Sequence, residues 1–291
     1  MSTLTKKIDF AVIISVKNAN PNGDPLDGNR PRTDYDGLGE MSDVCLKRKI
    51  RDRLLENGKN IFVQSDDNKI DEFPNLRKRA EAALGSIKNI PDIRNKACAR
   101  WFDVRAFGQV FPFKGSDKKG KKNQDIDSSE DGSSGAGVSI AIRGPVTIHP
   151  AFSLESIRSH IISEQIIKST SLEGDGINRQ SDQMGMKHRI GKDVVYVTYG
   201  SMNPQLAERT GFSDEDAAVI KGILPKLFEN DASSARPEGS MAVRKVIWWE
   251  HNCKSGQYSS AKVHETLTVN TDGSYSLKNL DGLEPQEIDG F

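Results

Sequence analysis

The chain has 291 residues, and its 41 basic and 41 acidic side chains give a formal net charge of zero at pH 7. Hydrophobic residues make up 35% of it and the mean hydropathy is −0.57, which suits one large domain with insertions or two small ones. The absence of any run of about 18 apolar residues excludes a membrane-spanning helix, and the balanced charge excludes an overall positive field that would attract a polyanion.

The first seven residues lead directly into strand-like sequence, without the apolar region and cleavage site of a signal peptide. The three cysteines, Cys45, Cys98 and Cys253, are odd in number and far apart, so they form no disulfide or metal framework. Both features predict a cytoplasmic protein, and no motif indicates a cofactor.

A buried central strand is predicted over residues 8–16, which are β-branched and apolar. Residues 17–25 follow it and are rich in Asn, Pro and Gly, which favour turns and cannot continue a strand or a helix. A glycine-rich loop then carries Arg30 and Arg32. Functional side chains are common in a loop that follows a buried strand, so this region is a candidate site.

A helix is predicted to begin after Ser42, which is a good N-cap, and to end at Asn57-Gly58. Its apolar side chains recur at four-residue spacing and predict one buried stripe. The stripe consists of Leu46, Ile50 and Leu54.

The same helix has five basic residues among positions 42–56. Lys47, Arg48 and Arg51 lie close enough to repel one another unless an anion is nearby, which favours a phosphate-binding surface. The alternative is a solvated helix face on which Asp43 pairs with Lys47 four residues later. The helix alone does not decide between the two.

Residues 59–100 are predicted to be an insertion that contains a helix at 76–84. The aromatic segment 100–111 is predicted to return to the core, where its phenylalanines pack instead of stacking on bases. Residues 114–137 are charged and rich in Ser and Gly, with almost no large apolar side chain. Such a composition cannot offset the entropy of ordering, so a mobile loop is expected there.

Three further strands are predicted, at residues 138–148, 194–199 and 243–249. Ser213 should cap a helix running toward Phe228 that Pro225 kinks or ends, and a hairpin is expected over 258–275. The order of these elements predicts an α+β fold with helices on one face of a sheet. The RRM-like, or ferredoxin-like, sheet is the commonest small version of that arrangement.

No constellation for catalysis stands out. The five histidines form no metal-ligand pair, and neither a Gly-x-Ser-x-Gly elbow nor a phosphate-binding loop is present. One loop contains several carboxylates, but without the spacing of metal ligands. They are Asp24, Asp27, Asp34 and Asp36. The residues alone indicate an α+β protein and are compatible with nucleic-acid binding.

Five blocks of the sequence together resemble the backbone subunit of the type I-C CRISPR Cascade, a Csd-type member of the RAMP superfamily. They are Asn18 to Pro25, Arg30 to Arg32, Ser42 to Arg51, Phe102 to Gly108 and Met184 to His188. The likeness runs from about residue 8 to about residue 250. The last block departs from the family pattern, because Met186 stands where an arginine is expected.

The resemblance implies a hand-shaped protein, with an RRM-like palm, helical fingers and a long hairpin thumb. The palm would comprise residues 1–58, 101–162 and 191–291, the last part ending in a C-terminal hairpin. The fingers would be residues 59–100 and the thumb 163–190. Copies would stack along a guide RNA, and each thumb would displace one base at regular intervals.

The resemblance also implies that the protein is a non-catalytic guide-RNA binder. The RNA-binding residues would be Asn18, Asn20, Asn22, Arg30, Arg32, Ser42, Lys47, Arg48, Arg51, Arg105, Met184, Lys187 and His188. The partners would be the guide crRNA, a target DNA strand paired with it, further copies of the chain, and the cap, large and small Cascade subunits. The 114–137 loop could face the target strand.

Two alternatives remain open at this point. One is a purely structural role without nucleic acid, which only the neutral net charge favours. The other is catalytic. In related type III backbone subunits a loop aspartate cleaves target RNA, and Asp24 lies in a comparable loop after the first strand. The chain would then be a metal-dependent ribonuclease, whereas type I relatives leave the destruction of target DNA to a separate nuclease-helicase.

Overall fold

The structure is a computed structural model that describes residues 2–85, 90–113, 138–168 and 183–291. The loop predicted at 114–137 lies outside the described residues, as does the middle of the segment predicted as a thumb. None of the helices in the described ranges is long and apolar enough to cross a membrane.

The secondary structure consists of short helices and many strands. The helices are α1 (Asp43–Glu56), α2 (Leu76–Leu84), α3 (Ile90–Arg100), α4 (Phe102–Phe107), α5 (Pro204–Thr210), α6 (Asp214–Ile223) and α7 (Ser260–His264). The strands are β1 (Ile8–Val16), β2 (Gly23–Asp24), β3 (Arg30–Pro31), β4 (Leu38–Met41), β5 (Gly108–Phe113), β6 (Val138–Arg143), β7 (Val146–Ile148), β8 (Ala151–Ser156), β9 (Ile161–Lys168), β10 (Gln183–Ile190), β11 (Val194–Met202), β12 (Met241–Glu250), β13 (Leu267–Val269), β14 (Tyr275–Leu277) and β15 (Pro285–Asp289).

A central antiparallel sheet organises the molecule. Its strands lie in the order β15-β12-β1-β11-β8-β4, and β7 pairs with the other end of β11. β1 is in the middle, paired with β11 and β12 along its whole length. Its apolar side chains are buried on both faces, as the unbroken hydrophobic run predicts.

Helices α1 and α6 pack on one face of this sheet and form the main core with it. The side chains of alternate β1 residues point into this core because side chains alternate along a strand. α1 contributes the predicted stripe of Leu46, Ile50 and Leu54. α6 contributes Ala217, Ile220 and Ile223.

The C-terminal segment covers the other face. Helix α7 and the β13–β14 hairpin pack over Ala11 of β1, Val197 of β11 and Trp249 of β12. β15 then joins the edge of the sheet beside β12. The sheet is therefore covered on both faces. The sequence predicted helices on one face, which is the face covered by α1 and α6.

A second core lies outside the sheet. It is built by α2, α3, α4 and the β5–β6 hairpin around three aromatic rings, with Phe62 centred 4.6 Å from Trp101 and 5.1 Å from Phe111. Helix α4 joins the two cores, because Phe102 packs in the main core and Val104 in the second. The second core therefore combines residues of the segment 59–100 with residues that follow it in the chain.

Many predicted elements are confirmed. α1 is capped by Ser42, whose Oγ accepts a hydrogen bond from the Cys45 amide at 3.2 Å, and α2 spans the predicted 76–84. Ser213 and Asp216 form a capping box on α6, and the α-helix ends at Ile223, before Pro225. The α+β prediction is confirmed at the level of a mixed fold with a central antiparallel sheet.

Two predictions are wrong in detail. The strand expected at 138–148 is two strands in different sheets: β6 pairs with β5, and β7 pairs with β11. Gly144-Pro145 separates them, and a Cβ at Gly144 would lie 2.3 Å from the Ala106 carbonyl oxygen, so the chain turns against α4 here. The hairpin expected over 258–275 begins instead with α7, and its strands span Leu267 to Leu277.

Candidate nucleic-acid interface

Three separate blocks of the sequence meet at the C-terminal end of β1. The Ile190 amide at the end of β10 donates to the Ala19 carbonyl at 2.9 Å. The Ser42 amide before α1 donates to Asn22 Oδ1 at 2.9 Å. The asparagine loop, the base of the β9–β10 hairpin and the N-terminus of α1 therefore form one continuous surface, which we call the loop junction.

The three asparagines of the loop have different surroundings. Asn18 is exposed at φ 50°, and its Oδ1 accepts from Arg189 Nη1 at 3.2 Å. Asn20 is buried, and its Nδ2 donates to the Asn29 carbonyl at 2.6 Å. Asn22 holds the Ser42 amide and so orients the start of α1. In this structure Asn20 and Asn22 act mainly to shape the loop.

The basic side chains nearest the loop junction are either unpaired among the described residues or in partly exposed ion pairs. Arg30 is exposed and has no ion pair with the described residues. Arg32 Nη2 lies 3.4 Å from Asp24 Oδ1, and Lys47 Nζ lies 2.9 Å from Asp43 Oδ2. Pairs of this kind contribute little to stability, so their cations are available to another anion.

Arg48 has a weaker partner than Lys47. Its Nη1 lies 3.8 Å from Asp52 Oδ1, beyond hydrogen-bond distance, and forms no hydrogen bond with a described residue. Burial raises the pKa of Asp52, while the charge of Arg48 acts in the opposite direction. The Nη1 of Arg48 is therefore a buried donor without a hydrogen-bond partner among the described residues.

Two predicted RNA contacts lie in buried ion pairs away from the loop junction. Arg51 Nε is 3.0 Å from Asp103 Oδ2, and the carboxylate is 1% exposed. Arg105 forms a two-pronged pair with Asp216, with both N–O distances 2.7 Å. These arginines connect α1 to α4, and α4 to the start of α6.

The hairpin residues were predicted from the block at 184–188. Lys187 is half-buried on β10 opposite Glu164, and His188 is buried, with Nδ1 2.8 Å from Ser163 Oγ. Met184 lies on β10 opposite Ile167, but its side chain is outside the described part of the structure. Lys187 is thus the half-buried cation of the predicted block on this hairpin.

Sequence reasoning missed Arg189, which is the next residue after that block. It pairs with Glu164 as well as bonding Asn18, and this pairing lowers the pKa of Glu164. Arg189 therefore ties the hairpin to the asparagine loop. Its position directly after His188 was the one signal that could have identified it.

A second missed group lies beneath α1. Lys49 is buried and pairs with Asp231, which also accepts from Arg236 Nε at 3.2 Å. Burial raises the pKa of the nearby Cys45 thiol, although the cations Lys49 and Arg236 act in the opposite direction. No motif in the sequence connects residues 182 positions apart, so only the fold reveals this group.

Asp24 is occupied within its own turn. Its Oδ1 accepts from the Leu26 amide at 3.1 Å as well as from Arg32. Among the described residues, no group of three or more His, Cys, Asp or Glu side chains is placed to hold a metal ion. The arrangement thus offers cations and amides for an anionic chain and, within the described ranges, no assembled metal-binding cluster.

A family model and a known protein that match this chain have the same description. The family model described as "CRISPR-associated protein Cas7" matches residues 6–287. A protein of Haloferax volcanii named "CRISPR-associated protein Cas7" is 25% identical over 284 residues, which cover 96% of this chain and 80% of that protein.

Two chains of solved structures superpose on most of this chain. A chain of a "CRISPR RNA-guided surveillance complex, pre-nicking" superposes with a TM-score of 0.45 at 13% identity, over 92% of this chain and 84% of that one. A chain of a "CRISPR RNA-guided surveillance complex" superposes with a TM-score of 0.43 at 16% identity, over 92% and 77%.

Proposed function

Because the chain belongs to the Cas7 family, whose model matches residues 6–287, we propose that it is a guide-RNA-binding backbone subunit of a CRISPR surveillance complex. The observation that carries the proposal is the loop junction. It brings an amide-rich loop, a hairpin base and the start of a basic helix together at one end of the central strand. Amides and cations on one surface suit a phosphate backbone.

We propose the type I-C subtype and the hand architecture on the sequence blocks quoted above. Along the chain, β1, α1, β8, β11, α6 and β12 follow the βαββαβ order of a ferredoxin-like sheet, which supports an RRM-like palm. The second core would belong to the fingers. The paired β9 and β10 would be the base of the thumb at 163–190.

The guide contacts divide into two groups on this proposal. Arg30, Lys47, Arg48 and Lys187 would neutralise phosphates, together with Arg32 and Arg189 once they leave their carboxylate partners. Asn18, Ser42, Met184 and His188 would contribute contacts of the loop and the thumb. Arg51 and Arg105 would act through the fold, and Asn20 and Asn22 through the shape of the loop.

Sequence reading would then be delegated to the guide. Backbone contacts leave the bases between thumbs free to pair with a target DNA strand, so the protein needs little base recognition. Further copies of the chain and the cap, large and small subunits would be its protein partners. The protein would be non-catalytic and cytoplasmic.

The experiment that tests the proposal is co-expression with a CRISPR repeat-spacer transcript and its processing enzyme, followed by purification through a high-salt wash. A multi-copy particle that contains RNA of one defined length is expected. Arg30→Glu with Lys187→Glu should abolish retention of the RNA. A matched control is Arg77→Glu with Lys78→Glu on α2, which makes the same change in charge at an exposed site.

The possible outcomes distinguish the proposed function from its alternatives. A wild-type monomer without RNA, in the presence of all partners, would contradict the proposed function. RNA retained equally by both double variants would show that the loop junction is not the guide contact. For the non-catalytic role, RNA paired with the guide should stay intact in Mg²⁺ or Mn²⁺; cleavage that Asp24→Ala abolishes would instead establish the ribonuclease.

A further inference from the structure

An aromatic ring stands fully exposed beside the loop junction. Tyr35 is 99% exposed, and neither its ring nor its hydroxyl contacts a described side chain. It lies three residues after Arg32, at the tip of the turn that connects Arg32 to β4. An isolated exposed apolar residue is ordinary on a protein surface, so the argument depends on how this one is held.

The turn that presents Tyr35 is firmly held from within. The Asp34 amide donates to the Leu38 carbonyl at 3.0 Å, and Asp34 Oδ1 accepts from the Leu38 amide at 2.8 Å. Gly37 adopts φ 84°, which a residue with a side chain would adopt only with strain. The tip therefore has a defined conformation, although its ring has no partner within the described chain.

Arg158 holds the same turn from the strand side. Its Nη2 donates to the Tyr35 carbonyl at 2.6 Å and to the Asp34 carbonyl at 3.1 Å. Its aliphatic stem packs so closely on Gly37 that a Cβ there would lie 2.9 Å from Arg158 Cγ and Cδ. Arg158 is itself exposed, and its Nε and Nη1 form no hydrogen bond with a described residue.

An exposed aromatic ring next to an exposed arginine with free donors is the combination that binds single-stranded nucleic acid. The ring offers a face for a base, and the guanidinium offers donors to the adjacent phosphate. The pair also borders the proposed RNA surface, because Arg158 directly precedes β9, whose base belongs to the loop junction. Tyr and Arg are also common at protein–protein contacts, and the self-association measurement below distinguishes that occupant from RNA.

We propose that Tyr35 and Arg158 form a stacking site for one base of single-stranded RNA, with Arg158 contacting the phosphate beside that base. The inference rests on the proposed function, since it assumes that RNA follows the loop junction. It adds two residues outside the family-like blocks. Because the turn is held before RNA binds, little ordering entropy is lost on stacking.

The test is a titration of the full chain with a single-stranded oligoribonucleotide that carries 2-aminopurine in place of adenine. Stacking on Tyr35 should change the fluorescence of the bound probe. Tyr35→Phe should behave as wild type. Tyr35→Leu and Tyr35→Ala should lose the fluorescence change and bind about 5- to 150-fold more weakly.

Leu26→Ala is the matched control, because Leu26 is 96% exposed at the neighbouring turn and has no ring. It should leave the titration unchanged. If Tyr35→Leu behaves as wild type, the ring does not stack and the inference is wrong. It is equally wrong if Tyr35→Ala reduces self-association in sedimentation without changing RNA binding, since Tyr35 would then contact another copy.

The role of Arg158 has its own readout. Arg158→Gln should lower the slope of log affinity against log salt by about 0.7, the amount expected for one lost contact to a single strand. Arg158→Lys should keep that slope. Wild-type protein that binds no RNA here and carries none in the co-expressed particle would contradict the proposed function. Binding with equal slopes in wild type and Arg158→Gln would contradict the phosphate contact alone.

Discussion

At the scale of single residues, Asp103 shows why a basic residue in a basic helix need not bind RNA. Its buried carboxylate accepts from the amides of Phe62 and Val63 at 2.7 and 3.0 Å, and from Arg51. The guanidinium of Arg51 also lies 5.3 Å from the centre of the Phe107 ring. Arg51 is thus held by α4 and the second core, whereas Lys47, one turn earlier, forms a partly exposed pair with Asp43 on its own helix.

We predict that Asp103→Ala lowers the free energy of unfolding by about 3–5 kcal/mol, because it leaves a guanidinium and two amides without their acceptor. Denaturant unfolding at pH 7 measures the effect. Asp43→Ala is the control, since its exposed pair with Lys47 contributes at most about 1 kcal/mol. Similar losses in the two variants would show that Asp103 has no special structural role.

At the scale of elements, a glycine in β11 allows an aromatic ring of β1 to pack across the central strands. Phe10 of β1 is paired with Gly200 of β11, and the Phe10 ring stacks on Trp248 of β12 with the ring centres 5.7 Å apart. A Cβ at position 200 would lie 2.1 Å from the Phe10 ring. The missing side chain therefore leaves the space that the ring fills across the strands.

We predict that Gly200→Ala destabilises the protein by about 1–3 kcal/mol, because the added methyl group displaces a fully packed ring. Gly222→Ala in α6 is the matched control, since no atom lies within 4 Å of the added Cβ. It should stabilise by about 0.5–1 kcal/mol by removing a glycine from a helix. Thermal unfolding of both variants measures the difference, and a stabilising Gly200→Ala would refute the packing argument.

At the scale of the whole molecule, a buried polar cluster joins the start of β1 to the C-terminal segment. His251 Nε2 lies 2.9 Å from Asp9 Oδ2, and His264 Nε2 lies 3.7 Å from Asp9 Oδ1. The His264 ring stacks on Tyr199 and meets His149 edge-on. Histidines that are scattered in the sequence are thus neighbours in the fold.

This cluster makes stability depend on pH. Burial lowers the pKa of His264 below its ordinary value of 6.5, and the charge of Asp9 only partly opposes this. Below about pH 6.5 the unfolded chain takes up a proton that the folded chain does not, so stability falls as the pH falls. Burial raises the pKa of Asp9, but its hydrogen bond with His251 and the charge of Lys7 lower it, and the net pKa lies below the ordinary value of 3.8. The stability that ionised Asp9 contributes is therefore lost only in stronger acid.

We therefore predict that the denaturant midpoint falls between pH 7 and pH 5, and that His264→Phe makes this fall smaller while keeping the stack on Tyr199. His160→Phe, the same change at a site away from Asp9, should leave the pH dependence as in wild type. Chemical unfolding at pH 7, 6 and 5 measures all three proteins. If the midpoint falls equally in wild type and His264→Phe, His264 does not cause the pH dependence.

The sequence by itself determined the elements whose signals are local. The apolar run of β1, the Ser42 cap with the stripe of α1, the helix at 76–84 and the capping box of α6 each depend on neighbouring residues, so all were predictable. The family resemblance was also carried by short contiguous blocks, which the family model then matched over residues 6–287.

Only the tertiary structure decided which cations face a ligand and which face the core. Arg51 pairs with a carboxylate 52 positions away, Arg105 with one 111 positions away, and Lys49 with one 182 away. Charge and helical spacing are local properties, whereas burial depends on what packs against the helix from elsewhere in the chain. For the same reason the exposed Tyr35, the split of residues 138–148 between two sheets and the Asp9 cluster were visible only in the fold.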